Sequence, residues 1–156
     1  MYLKICLSNG TDSKWVDLSK NPNLKNISEE MGSIYVDDIK TDLDFDWIEF
    51  DELQNIIDIF NYLNSNRLKS SFKKILELGL SFYEAYEKII ENRYYIFKAD
   101  DIYDVGVYMV NNNHWKYKRN EIPDDIYKVL DFQLIGEEFF NSWNCDFIDG
   151  KCITVY

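Results

Sequence analysis

Apolar residues recur at helical spacing from position 51 onward: Leu53, Ile56, Ile57, Phe60 and Leu63 form one stripe, with Glu52 and Asp58 away from it. The stripe predicts a helix with Asp51 as its N-cap. After the polar break Asn64-Ser65-Asn66, the residues Leu68, Phe72, Ile75 and Leu76 predict a second helix, ended by Gly79 in a left-handed conformation. A third opens at Ser81, where Glu84 completes a capping box and Phe82, Ala85, Ile89 and Ile90 supply the buried face.

On either side of this helical middle the pattern shortens and turns intervene. Residues 2–7, the turn dipeptide Asn9-Gly10, then Trp15-Val16 and Leu18 predict a hairpin. Asn21-Pro22 leads into a short helix through Leu24, Ile27 and Met31, stopped by Gly32, and residues 33–36 resume as a strand. Downstream, residues 94–97 predict a strand, and Asp100-Asp101 cap a helix carrying Ile102, Val105 and Met109 that ends at Asn111-Asn112-Asn113. Pro123 opens another helix, and Asp131 caps one carrying Phe132, Ile135, Phe139 and Phe140. Residues 145–148, the turn Asp149-Gly150 and residues 152–155 close the chain as a β-hairpin. The expected fold is α+β, with an N-terminal α+β module over 1–50, a small helical module over 51–93 and a C-terminal α+β module over 94–156. No internal repeat, low-complexity tract or long linker interrupts it.

Composition supports a folded chain. Of 156 residues, 46 % are hydrophobic and 17 % aromatic, more than a disordered acidic segment carries. Three cysteines (Cys6, Cys145, Cys152) without a C-x-x-C pair, and one histidine, argue against a disulfide scaffold and a zinc site. No apolar run reaches the roughly 18 residues of a membrane span, and MYLKICLSNG does not read as a signal peptide, so a soluble cytoplasmic protein is expected.

Charge changes the picture more. Asp37, Asp38, Asp42, Asp44, Asp46, Glu49, Asp51, Glu52 and Asp58, opposed only by Lys40, leave −8 in one stretch of a chain whose net charge is −11. Residues 64–99 carry +3, and residues 121–156 carry −6, with Asp124, Asp125, Glu137 and Glu138 among the acids. Such a field repels nucleic acids and anionic lipid, and attracts proteins built to hold phosphates. If extended, Asp42, Asp44 and Asp46 would share one face at roughly 6.6 Å intervals, with Leu43, Phe45 and Trp47 on the buried side. That pitch is comparable to phosphates along one DNA strand, roughly twice the 3.4 Å axial rise. These acids of both blocks are the candidate partner-binding residues.

Catalytic chemistry finds little footing. Asp42-Leu43-Asp44-Phe45-Asp46 begins like a calcium loop, but its sixth and twelfth positions hold Trp47 and Leu53 instead of Gly and Glu. His114 sits in a polar loop, the cysteines lie in apolar strands, and there is no phosphate-binding glycine loop or nucleophile elbow. Lys116, Lys118 and Arg119 beside Trp115 and Tyr117 resemble a nucleic-acid stacking patch, yet they stand between acidic blocks and are expected to contact neighbouring acids. No catalytic residue, metal or cofactor is expected; a small carboxylate-metal enzyme is the enzymatic alternative.

The stretches SKWVDLSKNPN, DWIEFDELQNIIDIFNYL and LGLSFYEAYEKIIENRYYIF, and the ending NEIPDDIYKVLDFQLIGEEFFNSWNCDFIDGKCITVY, with its Ile-Pro helix, Asp-aromatic helix start and Asp-Gly hairpin, resemble the ArdA family of antirestriction proteins nearly end to end. The resemblance implies an elongated dimer, encoded on a mobile element, whose acidic surface imitates duplex DNA. It would occupy the DNA-binding groove of type I restriction-modification enzymes without cofactor or turnover. It also implies a homodimer contact in the C-terminal module, expected at Phe132, Ile135, Phe139 and Phe140. A CRISPR effector or another DNA-binding defence protein is the alternative target, and an acidic scaffold is the reading outside mimicry.

Overall fold

Asn9 makes the first turn. Its side-chain oxygen accepts the N–H groups of Thr11 and Asp12 at 3.0 and 2.8 Å, while Gly10 takes a φ of +90° that a side chain would resist. This turn joins β1 (Leu3–Ser8) to β2 (Ser13–Asp17), and β3 (Tyr35–Thr41) pairs with the other edge of β1, giving the antiparallel order β2-β1-β3. The computed structural model describes residues 2–43, 45 and 47–156. Among these the fold is α+β, with seven α-helices and two three-stranded antiparallel sheets. The chain forms two compact units: Met1–Lys73 with Ser81–Tyr86, and Lys74–Leu80 with Glu87–Tyr156.

In the first unit, Leu3, Ile5 and Leu7 alternate into the core and are fully buried. The helix α1 (Leu24–Met31) is capped by Asn23, whose side chain accepts the Asn26 N–H at 3.0 Å. β3 runs beyond the predicted 33–36. Asp37 has no partner on β1, because Cys6 faces Asp38 while Leu7 faces Val36; this bulge absorbs the acid pair, and pairing resumes through Ile39 and Thr41. After a 3-10 turn (Phe50–Glu52), α2 (Leu53–Ser65) buries the predicted stripe. Asp51 is not its cap: Glu52 reaches back to accept the Glu49 N–H at 3.1 Å, closing the start one turn earlier. The expectation of a buried Trp47 also fails, since it is 62 % exposed and the neighbouring Ile48 takes the core position instead. Phe82 packs its ring 5.8, 5.2 and 4.9 Å from those of Phe60, Phe72 and Phe45. Each such buried ring contributes about 1.5–3 kcal/mol.

Two helices, α3 (Lys69–Leu76) and α4 (Phe82–Ile90), give residues to both units. Gly79 ends the run after α3 at φ +83°, its N–H donating to Leu76 at 2.9 Å, and Ser81 and Glu84 close the capping box that starts α4.

The second unit holds β4 (Tyr94–Lys98), α5 (Ile102–Asn111), α6 (Asp124–Tyr127), α7 (Phe132–Ser142), β5 (Asn144–Ile148) and β6 (Lys151–Val155), with sheet order β4-β6-β5. Asp101 and Asp131 cap α5 and α7 by accepting the N–H groups of Asp104 and Leu134. Asp149 and Gly150, at φ +52° and +66°, make the two-residue hairpin turn. α5 and α7 pack backbone to backbone through Gly106 and Gly136. One face of the sheet, with Phe97 and Cys152, meets Val105 and Met109; beside it Val110, Ile122, Phe132 and Ile135 fill a second cluster. No helix among the described residues is long and apolar enough to cross a membrane.

His114 lies against this core, its Nδ1 3.2 Å from the Tyr95 hydroxyl and the two ring centroids 4.4 Å apart. Burial lowers the imidazole's pKa, because the charged form loses water. A depressed basic group binds fewer protons folded than unfolded, so its stabilisation is present above the unfolded value near 6.5 and lost as pH falls below it. The thermal midpoint should therefore drop between pH 7.5 and 5.5, and His114→Phe should flatten that interval. Asp42, whose carboxyl is also lowered, acts in a separate window below its ordinary 3.8. An unchanged slope in the variant would show that His114 does not set it.

Candidate functional site

Within the acidic block, Asp37 and Asp38 lie exposed at the β3 bulge, and Glu49 and Asp51 lead into α2. Glu52 ends the 3-10 turn, and Asp58 lies exposed on α2 with Gln54 donating to it at 2.9 Å. Asp51 opens onto a cleft of about 310 Å³ bordered by Leu24, Lys25, Ser28, Glu29, Phe50 and Gln54. Among the described residues, none of Asp37, Asp38, Glu49, Asp51, Glu52 and Asp58 has a Lys or Arg nitrogen within 4.0 Å. Lys40, the block's one base, places its ammonium 4.3 Å above the Trp15 ring. Three acids elsewhere in this unit are paired: Asp17 with Lys20, Glu29 with Lys25, and Glu30 with Lys14.

Asp42 has another task. Its carboxylate accepts the Tyr2 N–H at 2.7 Å while the Thr41 hydroxyl donates to the Tyr2 carbonyl, so it fastens the start of β1 to the end of β3. Desolvation pushes its pKa up, but the hydrogen bonds it accepts outweigh this and hold the carboxyl below its usual value. Asp44 and Asp46, and with them the expected alternating row, lie outside the described residues.

The C-terminal acids are less uniform. Asp124 is held by the Arg119 guanidinium at 2.8 Å, which also lies 4.1 Å over the Tyr127 ring. Asp125 and Glu138 are exposed, whereas Glu137 is half-buried and accepts a hydrogen bond from Gln133. Arg119 thus meets a neighbouring acid, while Lys116 lies over Trp115 and Tyr117 at 5.2 and 5.6 Å. Phe132 and Ile135 are buried in their own unit, Phe139 packs against both of its clusters, and Phe140 stacks on Phe147 at 5.2 Å. Phe139 and Phe140 are half-buried, and the aliphatic side chains that the unit exposes among the described residues include Ile90, Ile126, Val129 and Leu134.

Cys6 and Cys152 are buried and Cys145 half-buried, all unbridged. Burial pushes the Cys145 thiol up and that of Cys152 to about 12, leaving neither with thiolate to react at neutral pH. Among the described residues no three His, Cys, Asp or Glu side chains are grouped to hold a metal ion. Sequence reasoning passed over three tyrosines beside the acids: Tyr62 on α2, and Tyr83 and Tyr86 on α4. The three-residue step from Tyr83 to Tyr86 was a usable signal for one helix face; their adjacency to α2 was not. No protein-family model matches the chain, and no curated protein shows significant similarity to it.

Proposed function

We propose that the chain is a DNA-mimic inhibitor that occupies the DNA-binding groove of a defence nuclease, a type I restriction-modification enzyme in the first instance. The observation that carries this reading is that six described carboxylates of the densest acidic block have no Lys or Arg nitrogen within 4.0 Å among the described residues. These six, Asp37, Asp38, Glu49, Asp51, Glu52 and Asp58, are exposed, while the intervening Lys40 lies over Trp15. A surface serving solubility alone tolerates mixed charge, and the rest of this unit has it. Uncompensated carboxylates keep their full attraction for lysines and arginines that otherwise grip phosphate. The likeness of the chain's segment order to the ArdA family supplies the target class.

Inhibition should be stoichiometric, competitive with duplex DNA and without turnover. It should weaken with salt less steeply than DNA binding to the same enzyme. DNA releases condensed counter-ions, with a logarithmic slope near −0.9 per neutralised phosphate, and a folded protein with sparser carboxylates condenses fewer. Titrating enzyme activity with the chain, and with competitor DNA, at several salt concentrations decides it. Catalytic substoichiometric loss of activity, or a slope steeper than that of DNA, overturns the reading.

A further inference from the structure

The tyrosines next to the acids form a second ridge. On the α2 side, Glu52, Asn55, Asp58 and Tyr62 follow one another at three- and four-residue steps and so share a face. On α4, Tyr83 and Tyr86 share one too. Tyr62 meets Tyr86 edge to face, with centroids 5.7 Å apart and planes at 84°. The Asn55 side chain acts to lower the Tyr83 phenol's pKa. Burial first, then the charges of Glu52 on Tyr83 and of Tyr62 and Asp58 on Tyr86, raise both phenols above their ordinary pKa. Asp58 and Tyr62 lie one turn apart on α2, Tyr62 meets Tyr86, and neither Glu52 nor Asp58 has a Lys or Arg nitrogen within 4.0 Å among the described residues.

A bare carboxylate favours arginine over lysine only through the fork that the guanidinium offers. A carboxylate beside an aromatic face favours it further, because a planar, weakly hydrated guanidinium lies on the ring while its fork meets the acid; a compact ammonium gives up more hydration for less contact. Solubility accounts for the acids without the tyrosines. Packing accounts for half-buried Tyr83 and Tyr86, but not for Tyr62, which stays 37 % exposed one turn along α2 from Asp58.

We propose that this α2–α4 face is an arginine-recognition surface, in which Asp58 with Tyr62 and Tyr86 makes a guanidinium seat. The inference deepens the proposed function, on which the identity of the partner rests: the protein bound would be one whose phosphate-gripping groove presents arginines. The chemistry is testable without that partner.

Two peptides of equal charge, hexa-arginine and hexa-lysine, are attracted alike by the net acidic field, so the difference in their affinities reports what the guanidinium adds, and Tyr62→Leu removes the stacking share of it. By titration calorimetry at low salt, the intact chain should bind hexa-arginine about tenfold more tightly. The gap should persist in Tyr62→Phe and shrink to about threefold or less in Tyr62→Leu and in Asp58→Asn, two exposed positions whose folding is checked by thermal unfolding. Equal affinities for the two peptides, or a gap unchanged in both Tyr62→Leu and Asp58→Asn, would overturn the inference. Discrimination without inhibition of restriction enzymes would leave the arginine surface standing and remove its assigned target. Inhibition without discrimination would do the reverse.

Discussion

Gly106→Ala and Gly136→Ala should each destabilise the second unit by about 3 kcal/mol or more, a large part of the total stability of an ordinary domain. A Cβ built on Gly106 in α5 collides with the Phe132 carbonyl oxygen and stands 3.0 Å from the Gly136 nitrogen; one on Gly136 in α7 collides with the Ile102 carbonyl oxygen. The obstacles are backbone atoms at helix starts, which a rotamer change cannot clear. Relief requires α5 and α7 to separate, and that opens the clusters around Met109 and Ile135. The sign makes the test decisive, because alanine elsewhere in a helix stabilises relative to glycine by roughly 1 kcal/mol. Urea unfolding that showed either variant unchanged or more stable would rule out the close crossing. The double variant should lose less than the sum of the two, since helices parted by the first methyl have room for the second.

That crossing had no legible signal, whereas the ends of the elements did. Capping and turn formation are decided within four or five residues, so Ser81 with Glu84, Asp131, Gly79 and Asp149-Gly150 could be read directly and occupy the expected conformations. Where neighbours compete, local reading erred. Asp51 is a good cap residue, but Glu49 and Glu52 close the same turn first; Asp37 and Asp38 look like the end of a strand, but a bulge lets β3 continue. For the candidate site, the number and clustering of the acids were legible and their compensation was not. Glu29 and Glu30 on α1 pair with lysines, one of them from a distant strand, while Asp51 and Asp58 have no Lys or Arg nitrogen within 4.0 Å among the described residues; only tertiary placement separates the two kinds. The tyrosine ridge is hidden for the same reason, since α2 and α4 meet only after the chain turns back on itself.

Asp51→Asn with Asp58→Asn should weaken inhibition about fivefold to 150-fold, from two partly solvated contacts at roughly 0.5–1.5 kcal/mol each. Both residues are exposed and neither caps an element, so the fold should survive, and relief of like-charge repulsion should hold or raise the unfolding midpoint. Asp42 is a poorer choice, because its charge secures the Tyr2 N–H and its loss would confuse folding with binding. The matched control is Glu29→Gln with Glu30→Gln, which removes the same formal charge from carboxylates already paired with Lys25 and Lys14. If net charge alone drives association, the two double variants should lose affinity equally. If unpaired carboxylates stand in for phosphates, the control should lose less, since each of its acids already faces a lysine at 3.4–3.8 Å that partly offsets its charge. Competition against duplex DNA measures both, with thermal unfolding as the check on folding. Equal losses would reduce the acidic block to a diffuse field, and the mimicry reading would have to be abandoned.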